Sequence, residues 1–121
     1  MIDRAFALRF AEEWIASWNA HDLERILSHY DDGFDMTSPL IVERMGVASG
    51  RLRGKDAVRP YWAGGLAARP GLHFTLVEVL VGVDALTILY RSELEVLVAE
   101  TIVFDGPGRA VRGSAHYGPR P

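Results

Sequence analysis

Phe6, Phe10, Trp14 and Trp18 recur every four residues near the start of the chain, with Glu12 and Glu13 between them. That spacing sets four aromatic rings on one slowly drifting face of a helix. Asp3 fits its N-cap, and the pattern holds to about Trp18. Asn19-Ala20-His21 interrupts it. Asp22 then caps a second helix, in which Leu23, Ile26, Leu27 and Tyr30 fall at i, i+3, i+4 and i+7. Asp31-Asp32-Gly33 reads as a helix stop followed by a turn, and Phe34 to Ser38 as a short strand ended by Pro39. Residues 39–53 contain Gly46, Ser49 and Gly50 and no sustained period. They predict a loop with room for one brief strand, long enough to serve as a lid or rim. Gly54-Lys55-Asp56 opens a third helix, with Val58, Tyr61, Trp62 and Leu66 on its buried side; Pro60 within it predicts a bend or a late start.

From Leu72 the pattern changes to β. Leu72 to Val81 is rich in Leu and Val, and Gly82-Val83-Asp84 makes a turn. Ala85 to Phe104 is then a run of 20 residues without glycine or proline. Extended at about 3.3 Å per residue it would reach roughly 66 Å, against a domain diameter on the order of 35 Å. The run therefore folds back, nearest Glu93-Leu94-Glu95. Asp105-Gly106-Pro107-Gly108 is a hairpin loop, and Arg109 to Tyr117 the last strand.

Helices first and antiparallel strands afterwards predict an α+β fold, with three N-terminal helices on one face of a curved antiparallel sheet. Leu94, Val96, Val98, Ile102 and Phe104 alternate with Leu97, Ala99, Thr101 and Val103, so both faces of this sheet are apolar. A free antiparallel sheet usually shows one polar face to water. A second copy is the simplest cover, which predicts a homodimer through the sheet.

At 121 residues the chain, 1–121, makes a single domain. A net charge of −3, with Lys55 the only lysine and the arginines scattered, gives no footprint for nucleic acid or an anionic membrane. The absence of cysteine excludes disulfides and thiolate chemistry. Asp3, Glu12 and Glu13 among the first apolar residues argue against a signal peptide or a membrane span, and a cytoplasmic protein is expected.

Glu100 is the sharpest chemical feature. It stands in the middle of an apolar strand, in phase with Val98, Ile102 and Phe104. Facing inward, its carboxyl is held among apolar groups, its pKa rises, and it can act as a general acid, a general base or a donor to an oxyanion. Facing outward, it pairs with an arginine such as Arg91 or Arg112. His116 and Tyr117 lie on opposite faces of the last strand, so only one looks inward; His116 is the second catalytic candidate. His73 sits at a strand start, and His21 and His29 read as surface helix residues. With no HxH, no histidine pair at helical spacing and no clustered carboxylates, a metal site is not expected, and no nucleotide-binding motif calls for a cofactor. Trp14, Trp18, Tyr30, Ser38, Trp62, Tyr90, Ile102 and Tyr117 are the candidate pocket lining, the rings either filling the core or framing a cavity.

The segments Trp14 to Glu24, Thr37-Ser38-Pro39, Gly54 to Trp62, Phe104-Asp105 and His116-Tyr117-Gly118 resemble, in sequence and order, the SnoaL-like branch of the nuclear transport factor 2-like superfamily. The resemblance covers Phe6 to Gly118. It implies a cystatin-like cone of curved antiparallel sheet around three helices, a pocket between helices and sheet, and frequent dimers. Members include ketosteroid isomerase, polyketide cyclases, limonene epoxide hydrolase and scytalone dehydratase alongside non-catalytic binding and transport proteins, so the fold does not give the function. Against ketosteroid isomerase, the oxyanion tyrosine matches Trp14 and the aspartate base matches Ser38; the protonated acid matches Glu100. Only the last keeps its chemistry. The hydrolase set of an arginine and two aspartates finds no counterpart, because Asp84 and Asp105, taken as the sheet's only aspartates, lie in turns. Two functions stay open: a cofactor-free acid–base enzyme of isomerase, cyclase or hydrolase type acting on an apolar or polycyclic molecule, and a non-catalytic small-ligand-binding or dimerisation domain.

Overall fold

The computed structural model describes residues 1–106 and 108–121. Helix α1 spans Arg4–Asn19 and α2 Leu23–Leu27, followed by strand β1 at Tyr30–Thr37, helix α3 at Pro39–Met45 and strand β2 at Arg51–Arg53. Helix α4 covers Lys55–Ala68, and four strands complete the fold: β3 (Phe74–Val81), β4 (Ala85–Ser92), β5 (Leu97–Phe104) and β6 (Ala110–Tyr117). The strands form one sheet in the order β2-β1-β6-β5-β4-β3. The α+β architecture is as expected, with one departure: β1 pairs with β6 in parallel, so the sheet is mixed.

Helix α1 begins where Asp3 accepts the Phe6 N–H at 3.1 Å, and Asp22 caps α2 in the same way through Arg25. The aromatic stripe of α1 meets other rings along its whole length, from the sheet and, at Trp62, from α4. Phe6 and Phe10 pack edge-on to Phe104, Trp14 lies against Phe74 and Tyr90, and Trp18 against Phe74 and Trp62. Asn19 ties the end of α1 to the start of β3, donating to the Phe74 carbonyl at 2.9 Å and accepting the Phe74 N–H at 2.7 Å. Neither His21 nor His29 is a free surface group. Nε2 of His21, a residue in the left-handed region with φ of 55°, lies 2.9 Å from the Leu72 carbonyl oxygen. His29 packs on Phe10, 3.4 Å from Glu13.

Three local expectations are revised. Asp31-Asp32-Gly33 does not end a helix; α2 stops earlier and these residues form the exposed beginning of β1, which is longer than the predicted Phe34–Ser38. Asp35 therefore belongs to the sheet too, where it pairs with Arg51 at 3.2 Å. The predicted loop at 39–53 holds a helix. Ser38 accepts the Leu40 N–H at 3.1 Å, Pro39 takes the first helical turn where its missing N–H costs nothing, and Gly46 at φ 68° closes the C-terminus. Helix α4 starts at Lys55 and runs through Pro60, so of the two outcomes expected there the late start does not occur. Pro60 is exposed, so water can satisfy the carbonyl it leaves unpaired.

The fold-back in the 20-residue run falls at residues 93–96, as its length demanded. Ser92 accepts the Leu94 N–H through its hydroxyl, and Glu95 takes a φ of 61° where glycine would be the easier residue. The hairpin loop expected at Asp105-Gly106-Pro107-Gly108 includes Pro107, which lies outside the described residues. Among the described residues no helix is long and apolar enough to cross a membrane.

Candidate functional site

Register across the sheet builds the site. Tyr90 of β4, Val98 of β5 and Tyr117 of β6 stand side by side in one row, and Ile88, Glu100 and Ala115 form the next. Because side chains alternate along a strand, both rows face the helices. The space between these rows and the helices is not filled.

That space is a cavity of about 200 Å³ between the sheet, the end of α1, α3 and α4. Its apolar wall includes Trp18, Met36, Trp62, Leu72, Phe74 and Val98, and its polar groups include Tyr61, Tyr90, Glu100 and Tyr117. Glu100 is 6% exposed, and its one side-chain partner among the described residues is the Tyr90 phenol, which donates to Oε1 at 3.3 Å. Among the described residues no arginine pairs with it; the outward placement beside Arg91 or Arg112 does not occur.

Burial disfavours the charged carboxylate and pushes the Glu100 pKa up to about 8, a shift that the Tyr90 hydrogen bond opposes only in part. The carboxyl is therefore mostly protonated at neutral pH and can donate a hydrogen bond. The surrounding phenols shift upward as well. Tyr90 and Tyr117 rise through burial and then through the adjacent Glu100, and Tyr61 through burial. All three stay neutral donors across the physiological range.

The candidate residues divide clearly. Trp18, Trp62, Tyr90, Glu100 and Tyr117 come together around the cavity. Trp14 and Tyr30 lie behind its wall, where the Trp14 indole N–H donates to the Tyr30 hydroxyl at 2.8 Å. Ile102 is fully buried core. Ser38 is buried with its hydroxyl committed to capping α3, within 3.4 Å of the Tyr61 hydroxyl, so it supports the lining rather than forming it. His116 is exposed on the opposite face of the sheet, its Nδ1 3.3 Å from the Ala99 carbonyl oxygen, and is not part of this cavity. Tyr117 is the residue of that pair that looks inward.

Sequence reasoning missed Tyr61 as a polar lining group, since it read as plain helix core, and missed Met36, Glu43 and Arg44, which flank or form the helix taken for a loop. The Ser-Pro pair before an apolar run, with glycine seven residues after the proline, was the available signal. Among the described residues no three His, Asp or Glu side chains come close enough to hold a metal ion.

A model of the SnoaL-like domain matches residues 11–117. The chain belongs to the SnoaL-like family. It is similar to a SnoaL-like protein of unknown function from Burkholderia thailandensis, with 49% identity, a TM-score of 0.94 and 98% of each chain covered. More distant likenesses show the same fold. A putative isomerase of the SnoaL-like family from Agrobacterium tumefaciens is 15% identical, with a TM-score of 0.74 over 93% of this chain and 97% of that one. AclR, a putative hydroxylase from Streptomyces galilaeus, is 16% identical, with a TM-score of 0.75 over 96% and 91%. No curated protein matches.

Proposed function

We propose that this SnoaL-like protein binds a small, largely apolar molecule and transforms it by acid–base chemistry without a cofactor, with Glu100 as the proton donor. The observation that carries this reading is the Glu100 carboxyl, buried at the cavity wall with a phenol as partner and no cation beside it. A protonated carboxyl there gives its proton to a ligand carbonyl oxygen while a water molecule entering the cavity takes the proton from the neighbouring C–H bond, leaving the enol, hydronium and the Glu100 carboxylate. As Glu100 gives up its proton, the Tyr90 hydrogen bond stabilises the carboxylate left behind. Isomerisation and aldol-type cyclisation both use that step.

A non-catalytic binding role is the second reading. It is favoured by the lining itself, which includes no histidine, and by Ser38, whose hydroxyl serves as a helix cap at the position a base would take. The two readings separate on Glu100→Gln, assayed for absorbance changes with small cyclic ketones and enols. Loss of turnover with binding retained supports the acid role; unchanged turnover refutes it.

We also infer a homodimer through the outer sheet face. Leu80 and Leu97 are 54% and 37% exposed there, and Leu89 and Ala99 sit side by side in its central strands. The face is not wholly apolar, since Thr87 and Thr101 bridge through their hydroxyls at 2.9 Å beside Ser114 and His116. A chain without cysteine needs no oxidising compartment, and a cytoplasmic location is part of the proposal.

A further inference from the structure

Helix α4 carries Gly64 and Gly65 near its C-terminal end, and a glycine inside a helix costs about 1 kcal/mol relative to alanine. Gly65 has a structural reason, whereas a Cβ at Gly64 would meet nothing within 4 Å. Arg44, from the end of α3, lays its guanidinium across the helix at this point. Its Nη2 donates to the Gly64 carbonyl at 3.2 Å, and a Cβ added to Gly65 would come within 2.9 Å of Nη1. Alanine at 65 and the guanidinium in this position exclude each other. Arg44 and Gly65 both line the cavity, so the missing side chain makes room for a cation at its edge.

The other charges leave that cation uncompensated. Apart from tyrosines, the ionisable lining residues are Glu43, Arg44, Arg69, Glu100 and Arg120. Arg69 is neutralised by a two-pronged pair with Glu93, at 2.6 and 2.9 Å. Glu43 offsets one of Arg44 and Arg120; among the described residues neither arginine lies within ion-pair distance of a carboxylate. With Glu100 protonated, the lining carries a net positive charge on a chain whose net charge is −3. A cavity of about 200 Å³ is also small, below the roughly 300 Å³ at which drug-sized pockets begin.

We propose that the cavity takes a one- or two-ring acid: its rings lie among Trp18, Trp62 and Phe74, an oxygen meets Glu100, and its anionic group meets the Arg44 guanidinium. This rests on the cavity being a ligand site and narrows the polycyclic class expected from sequence. A protonated Glu100 presents no buried negative charge to such a ligand, and a guanidinium gives a carboxylate shorter, stronger hydrogen bonds than a neutral amide receives.

The test is calorimetric titration near neutral pH with para-coumarate and with its carboxamide, which keeps the shape and removes the charge. The acid is expected to bind about tenfold more tightly than the amide, the step that a charge-assisted hydrogen bond adds over a neutral one. Arg44→Gln, an exposed position, should bring that ratio to near one by weakening the acid alone. Gly65→Ala should move it the same way, because it displaces the guanidinium while keeping the charge. Equal affinity for acid and amide in the unaltered protein, or a ratio that Arg44→Gln leaves unchanged, overturns this inference alone. Failure of both probes to bind overturns the ligand-site reading beneath it.

Discussion

Replacing Glu100 by glutamine gives the proton held in the cavity wall a measurable weight. Glutamine has the shape of the protonated acid and keeps an oxygen for the Tyr90 hydroxyl to donate to, but it cannot ionise. In the folded protein the carboxyl pKa is raised to about 8 from its ordinary 4.5. The folded state thus binds the proton more tightly than the unfolded chain. Its stabilising contribution is complete below about pH 4.5, is lost progressively as pH rises toward about 8, and stays lost above that. At about 1.4 kcal/mol per pH unit, that interval corresponds to about 5 kcal/mol. This is a large part of the roughly 5–15 kcal/mol that holds a domain folded. Urea unfolding of both proteins across about pH 4 to 9 isolates the effect, because every other titrating group cancels in the difference. The unaltered protein should lose stability relative to Glu100→Gln as pH rises, with the steepest change between about pH 5 and 8. A difference that stays flat would refute the burial argument, whatever the activity of either protein.

Two further outcomes follow from other parts of the fold. Asn19→Ala removes both hydrogen bonds that clamp the end of α1 to the Phe74 backbone, and urea unfolding should register a loss of about 2 kcal/mol; no loss would mean that the aromatic packing alone fixes that helix. Leu89→Glu places a charge at the middle of the outer sheet face, and sedimentation should show the inferred dimer dissociating; a protein that is already monomeric before substitution removes the dimer.

Much of this fold is legible from the chain because its strongest signals are periodic. Four aromatic residues at a spacing of four mark one ringed face of a helix, and the rings they meet are Phe104, Tyr90 and Phe74 of the sheet and Trp62 of α4. Phase put Glu100 on one face with Val98, Ile102 and Phe104, but with both faces of the strand apolar it left open whether that face pointed inward. What escaped was decided by contacts distant in sequence. The first strand pairs in parallel with the last, and nothing local to Tyr30–Thr37 encodes that partner. The turn at 93–96, by contrast, was found from length alone, since it lacks a marking glycine: Ser92 supplies a hydroxyl and Glu95 takes the left-handed backbone.

The candidate site was half legible for the same reason. Alternation on β6 required that either His116 or Tyr117 face inward but could not say which, and Tyr117 proved to be the one. Trp14, Tyr30 and Ile102 are as aromatic or apolar as the true lining. A ring one layer behind a wall looks the same in sequence as a ring on it. Helix α3 is the instructive miss: its cap, its first-turn proline and its closing glycine were all present, but its seven residues are too few for a helical period to declare itself.

Everything proposed for the cavity depends on Glu100 being protonated at neutral pH where a ligand can meet it. The most direct measurement is a carbon NMR titration of the glutamate side-chain carboxyl signals, with Glu100 assigned by its disappearance in Glu100→Gln. A Glu100 midpoint close to 8, well separated from the exposed glutamates, is the predicted result. A midpoint near the ordinary 4.5 would contradict the account, because the carboxylate would then be charged and unable to donate a proton.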